Sequence, residues 1–124
     1  MSTVRLNSTT QEHFDHPRNV GTLENATHRA KATNPVCADV MELDLRIENG
    51  RITAARFRAE GCAPTYAAGS LLTEKITGQE VAWAAGVTKD SVIGWLDGVP
   101  PGKEHVAHLA VEVLRLALQS PVGE

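Results

Sequence analysis

Four side chains in this sequence are of the kinds that bind soft metal ions or carry sulfur: Cys37, Asp39, Cys62 and His105. Cys37 and Asp39 lie two positions apart in Asn34-Pro35-Val36-Cys37-Ala38-Asp39, directly before a strand-like run. Cys62 sits between Gly61 and Ala63-Pro64, where a helix is expected to open. A helix N-terminus carries partial positive charge, which suits a sulfur acting as ligand or nucleophile. His105 falls at the start of the last helix, on the border between its apolar and polar faces, and can point back toward a loop carrying either cysteine. Two thiolates, an imidazole and a carboxylate match tetrahedral zinc, and the same donors could equally hold iron or a small cluster. Each residue also has a plainer reading. A free cysteine is often a small buried hydrophobe, an aspartate before a strand often makes local loop bonds, and a histidine at a helix start often caps it or meets solvent. His13, His16, His28 and His108 are read in that plainer way, His108 because it lies mid-way across the polar face of the last helix.

Those four residues all fall near the ends of expected elements, so one end of a folded domain can gather them. Ser8 and Thr9 followed by Gln11 and Glu12 form two overlapping capping-box patterns, predicting a short helix that ends before Pro17. Residues 25–33 alternate weakly and are read as an edge strand. Met41, Leu43, Leu45 and Ile47 alternate with Glu42, Asp44, Arg46 and Glu48, the period of a strand with one buried face. Asn49-Gly50 then supplies a tight primed turn, and a second strand follows over 51–60 with Ala55, Phe57 and Ala59 on one side. The pair is an antiparallel hairpin.

Beyond Cys62, a helix is predicted over 64–77 with Gly78 as its stop, a short helix over 79–85, and another capped by Thr88 and running to Asp97. Trp83 and Trp95 are expected to supply core contacts. Val99-Pro100-Pro101-Gly102-Lys103 reads as a stiff, extended link. In the last helix Val106, Leu109, Ala110, Val113, Leu114, Ala117 and Leu118 form an apolar stripe, opposite Glu104, His108, Glu112, Arg115 and Gln119. Residues from Pro121 onward are expected to fray.

Composition narrows the function classes. With 124 residues, 42% hydrophobic and 22% charged, the chain fits one globular domain spanning 1–124, with about 1–8 and 120–124 flexible. The net charge of -3 and the lack of a basic run argue against a nucleic-acid binder. No stretch reads as a signal peptide or a membrane span, so a cytoplasmic protein is expected, whose two cysteines are thiols or ligands rather than a disulfide.

Four segments together resemble the IscU/NifU N-terminal family of iron-sulfur cluster scaffolds. They are His16-Pro17-Arg18-Asn19-Val20-Gly21, Val36-Cys37-Ala38-Asp39-Val40-Met41, Phe57-Arg58-Ala59-Glu60-Gly61-Cys62 and Pro100-Pro101-Gly102-Lys103-Glu104-His105, in that order. The resemblance extends over about 11–119. It implies an α+β fold: a three-stranded antiparallel sheet packed against about four to five helices, with a long C-terminal helix. It also implies a non-enzymatic scaffold that accepts sulfur from a cysteine desulfurase, combines it with iron, holds a transient [2Fe-2S] cluster and passes it to apo-proteins. Cys37, Asp39, Cys62 and His105 match the family's ligand positions, with Cys37 and Cys62 as the candidate sulfur acceptors.

Two positions depart from the family pattern. Val106 stands where the family has a third cysteine directly after the histidine, and Ala38 where it has glycine. With two thiols doing the work of three, weaker or altered assembly is expected. Zinc at the same four residues, in a sulfur-relay or regulatory protein, and an interaction module that keeps only the fold are the alternatives. Relatives served by a dedicated Hsp70-type chaperone carry leucine-proline-proline-valine-lysine; Val99, Pro100, Pro101 and Lys103 keep the prolines and lysine of that motif, and a rigid interhelix link is the other reading of them.

Overall fold

Residues 6–35 and 38–122 are described in the structure, a computed structural model. Its sheet contains β1 (His28–Asn34), β2 (Asp39–Glu48) and β3 (Arg51–Glu60), ordered β1-β2-β3 and antiparallel throughout. The predicted hairpin is β2–β3, and the weakly alternating segment is β1, begun and ended slightly later than expected. Asn49 and Gly50 take φ of 53° and 76°, the left-handed pair that a primed two-residue turn needs. Near the turn the register shifts between Arg46 and Ile47 of β2, leaving Thr53 of β3 as an extra residue whose hydroxyl donates to the Arg46 carbonyl. This bulge changes the parity of β3, so that Ile52 and Ala55, three apart, are both buried.

Five helices accompany the sheet: α1 (Ser8–Asp15), α2 (Ala63–Ile76), α3 (Val81–Ala85), α4 (Lys89–Trp95) and α5 (His105–Leu118). Met41, Leu43, Leu45, Ala55 and Phe57 form the inner sheet face, and α2 and α5 pack across it. Gly69 permits that approach: a Cβ there would stand 2.4 Å from the Phe57 ring. Along α5 the expected stripe from Val106 to Ala117 is buried, while Glu104, His108, Glu112, Arg115 and Gln119 are exposed. The α+β architecture implied by the resemblance is the one observed.

Loops close both edges of the sheet. Asn19–Gly21 runs beside β3, with Phe57 N donating to Asn19 O and Gly21 N to Phe57 O. At the other edge, Arg29 N donates to Ser120 O and Val122 N to Thr27 O, so residues 120–122, expected to fray, carry backbone bonds to the start of β1. Unpaired strand edges invite association, and these bonds occupy part of each edge.

Several local expectations need correction. The cap of α1 is Asn7, whose side chain accepts from Thr10 N and also donates to Leu96 O, rather than Ser8 or Thr9. Trp83 is 44% exposed and stacks on Trp95 at 6.3 Å between centroids, so it lies at the surface, while Trp95 is partly buried against the core as expected. A five-residue helix is too short to turn a wide apolar face inward, and Ala84 takes its buried position instead. The proline link is a turn, with Lys103 N donating to Pro100 O and Gly102 at φ 83°. Proline followed by glycine at the two central positions is the type II pattern.

Candidate functional site

The antiparallel order fixes which element ends meet. Asn34, the last residue of β1, pairs with Asp39, the first of β2; Val40 beside it pairs with Glu60, the last of β3. Gly61 and Cys62 continue from β3 into α2. One end of the sheet therefore receives the Asn34-to-Asp39 loop and the N-terminus of α2, and His105 at the start of α5 reaches the same place.

Asp39 is 5% exposed, and His105 Nε2 lies 2.9 Å from its Oδ2. Despite that distance, Oδ2 has no partner in hydrogen-bond geometry among the described residues. Burying a carboxylate oxygen without a directed donor is costly, and such an atom in a folded protein calls for an explanation: strain, a chemical role, or an ordered water or ion. The donor chemistry, a carboxylate facing an imidazole, fits a metal ion or an iron-sulfur cluster.

Cys62 is the N-cap of α2, in extended conformation at φ -83° and ψ 173°, and its side chain makes no capping bond to the helix amides. Its Sγ is 3.4 Å from Thr65 Oγ1. Thr65 is fully buried. Gly61 joins the two halves of the site: a Cβ there would lie 2.6 Å from Asp39 Oδ1 and 2.8 Å from Thr65 Oγ1. Only glycine lets the carboxylate and the threonine hydroxyl press against the same backbone atom, and its φ of 156° also disfavours a side chain.

The loop is closed by Ala38 N donating to Asn34 O at 2.7 Å, and Ala38 takes φ 59°. This is a left-handed conformation that costs alanine about 1–2 kcal/mol and glycine almost nothing. Cys37 lies outside the described residues. The structure thus brings Asp39 and His105 together and sets Cys62 against the same cluster through Gly61 and Thr65. Among the described residues no three of His, Cys, Asp and Glu converge as a complete metal set. Val106 is wholly buried and belongs to the core.

Thr65 escaped the sequence reading, and Gly61 entered it only as a neighbour of Cys62. The spacing of Cys62 and Thr65 is that of an N-cap and its N3 residue, the two positions that exchange bonds in a capping box, and this was the available signal. His13, read as structural, is buried between α1 and α2, its Nδ1 2.7 Å from Ser70 Oγ. Burial, reinforced by the nearby Arg18 charge, holds its pKa below the usual histidine value.

Comparison with known proteins decides the family. The NifU-like N-terminal domain model matches residues 6–121. The chain belongs to that family. An iron-sulfur cluster assembly scaffold protein IscU of Archaeoglobus fulgidus is 37% identical over 107 residues, covering 86% of this chain and 70% of that one. The IscU scaffold protein of Haemophilus influenzae is 34% identical over 111 residues, covering 86% and 87%. A Drosophila melanogaster relative, 36% identical over 111 residues and covering 86% and 71%, is named an iron-sulfur cluster assembly enzyme. Among solved structures, a Fervidobacterium islandicum protein described as a candidate SUF-system assembly scaffold superposes with a TM-score of 0.74. That match covers 90% of this chain and 95% of the other at 19% identity, a likeness of fold.

Proposed function

We propose that this protein is a non-enzymatic iron-sulfur cluster assembly scaffold, its residues 1–124 forming one NifU-N-type domain. Cys37, Asp39, Cys62 and His105 would hold iron and a transient [2Fe-2S] cluster, with Cys37 and Cys62 receiving sulfur from a cysteine desulfurase. Apo-proteins would take the finished cluster. The observation that carries the reading is the buried Asp39–His105 pair, whose facing oxygen lacks a directed hydrogen bond, at the sheet end that also presents Cys62.

Each residue has a distinct job in that scheme. The thiolates supply strong bonds to iron. Asp39 supplies a harder, weaker one that lets the cluster leave, since soft sulfur ligands suit iron-sulfur clusters better than carboxylate does. His105 adds the remaining nitrogen donor. An Hsp70-type chaperone would meet the Pro100–Lys103 turn, where Pro101 is exposed and Val99 is packed partly against the core. No helix among the described residues is long and apolar enough to cross a membrane; a cytoplasmic location is part of the proposal.

The test is anaerobic reconstitution with ferrous iron, cysteine, a desulfurase and a thiol reductant that brings persulfide sulfur to sulfide, read by visible absorbance and by iron and sulfide per chain. Cluster absorbance that depends on both cysteines is expected; none, where a three-cysteine relative assembles one, sinks the proposal. The buried Val106 favours a second reading, because it leaves no third sulfur beside His105: the same residues hold one zinc in a sulfur-relay or regulatory protein. Metal analysis of protein purified without oxygen separates the two.

A further inference from the structure

We propose that Thr65 is a positioning residue for the Cys62 sulfur, orienting it toward the cargo; this rests on Cys62 being a cluster ligand. A wholly buried hydroxyl needs a partner, and the one at Thr65 Oγ1 is Cys62 Sγ, 3.4 Å away. Among the described residues nothing else on the helix end holds that sulfur, since Cys62 makes no side-chain bond to the amides it caps. The main chain fixes the geometry, because Thr65 N donates to Cys62 O at 2.9 Å.

The direction of the bond follows from the chemistry of the loaded state. A sulfur bonded to iron has no proton and can only accept, so the threonine hydroxyl must donate. A donated hydrogen bond withdraws charge from the sulfur, and hydrogen bonds to cluster sulfurs are among the levers that set cluster properties. Thr65 also stands beside Asp39. Asp39 Oδ1 and Thr65 Oγ1 both border the space that a Gly61 side chain would need, so the residue that holds the sulfur and the carboxylate flank the same backbone position.

Two substitutions separate the hydroxyl from the methyl. Thr65→Val keeps the shape and removes the donor, while Thr65→Ser keeps the donor and removes the methyl. In metal-free protein with labelled cysteine, three-bond couplings report the Cys62 side-chain rotamer. One rotamer is expected in the native and Thr65→Ser proteins, and averaging in Thr65→Val. Cobalt(II), followed by its thiolate charge-transfer absorbance, should bind about tenfold more weakly to Thr65→Val, with Thr65→Ser close to native.

A single rotamer in all three proteins overturns the proposal, and so does unchanged cobalt affinity in Thr65→Val. If Thr65→Val fails to fold, Thr65→Ala takes its place. Native protein that binds no cobalt overturns the ligand reading itself and removes the cargo from this proposal, whereas averaging of the Cys62 rotamer depends on neither metal nor cluster.

Discussion

Two buried aspartates lie five residues apart on β2 and show opposite solutions to the same problem. Asp44 is fully buried, and every direction from its carboxylate ends on a donor: Arg58 reaches both oxygens at 3.1 Å, Leu23 N donates at 3.0 Å, and Arg29 Nε lies at 3.5 Å. Asp39 is almost as buried, yet its Oδ2 faces only the His105 ring nitrogen and lacks a directed hydrogen bond among the described residues. Satisfaction marks Asp44 as part of the fold's own structure. Its lack sets Asp39 apart, and under the proposed function that oxygen is the one offered to iron.

The sharpest way to break this contrast is to remove each carboxylate. Asp44→Ala removes the carboxylate that Arg58 grips with two hydrogen bonds, leaving Glu42 at 3.5 Å as its anion, and should destabilise the fold by about 3 kcal/mol, at the lower end for a broken buried pair because Arg58 still meets water. Asp39→Ala removes a group that is poorly satisfied and should stay within about 1 kcal/mol of native, while metal or cluster retention falls. Urea denaturation of both proteins checks the difference. Equal losses would mean that both aspartates are structural.

Acid should expose the same asymmetry. Burial opposes ionisation of Asp44, but hydrogen bonds from Arg58 and the Leu23 amide, with the charges of Arg58 and Arg29, outweigh it and hold its pKa below the ordinary 3.8. A carboxyl lowered in the folded state stabilises above its unfolded value, and that contribution disappears as pH falls through the folded value. Native protein should therefore lose stability below about pH 4 more steeply than Asp44→Ala does. Thermal melts across that range read the slope.

Crowding the space between Asp39 and Thr65 should have a smaller effect on stability. Gly61→Ala puts a methyl within 2.6 Å of Asp39 Oδ1 at an unfavourable φ, and should cost about 1–3 kcal/mol while weakening cobalt binding. The slightest effect is expected at Ala38. Ala38→Gly relieves a left-handed alanine and should raise stability by up to about 1 kcal/mol without altering β1–β2 pairing, as amide chemical shifts would report.

The two aspartates also show what the sequence can and cannot disclose. Alternation from Met41 to Ile47 and the Asn49-Gly50 turn are local signals, so the hairpin and its inner face were legible, as was the α5 stripe. The same alternation placed Asp44 on the solvent side. It does lie on the outer face, but residues 19–23 fold back over that face and seal it, a contact between segments about twenty residues apart that no period encodes. Trp83 was misplaced because aromatic character predicts burial only where an element is long enough to own a face. Asp39 and His105 were named from their types and a family resemblance, and the sheet order explains why they meet. Thr65 was legible only as the N3 partner of the Cys62 cap, because a threonine one turn into a helix looks like any other until its hydroxyl is seen against sulfur.

The central claim is that Asp39 waits for a metal that Asp44 never meets. Iron K-edge X-ray absorption on anaerobically reconstituted protein tests it most directly, comparing native protein with Asp39→Ala. The account predicts a first shell of sulfur together with nitrogen or oxygen, the lighter scatterers diminished in Asp39→Ala. A shell of sulfur alone, or one unchanged by the substitution, would contradict it.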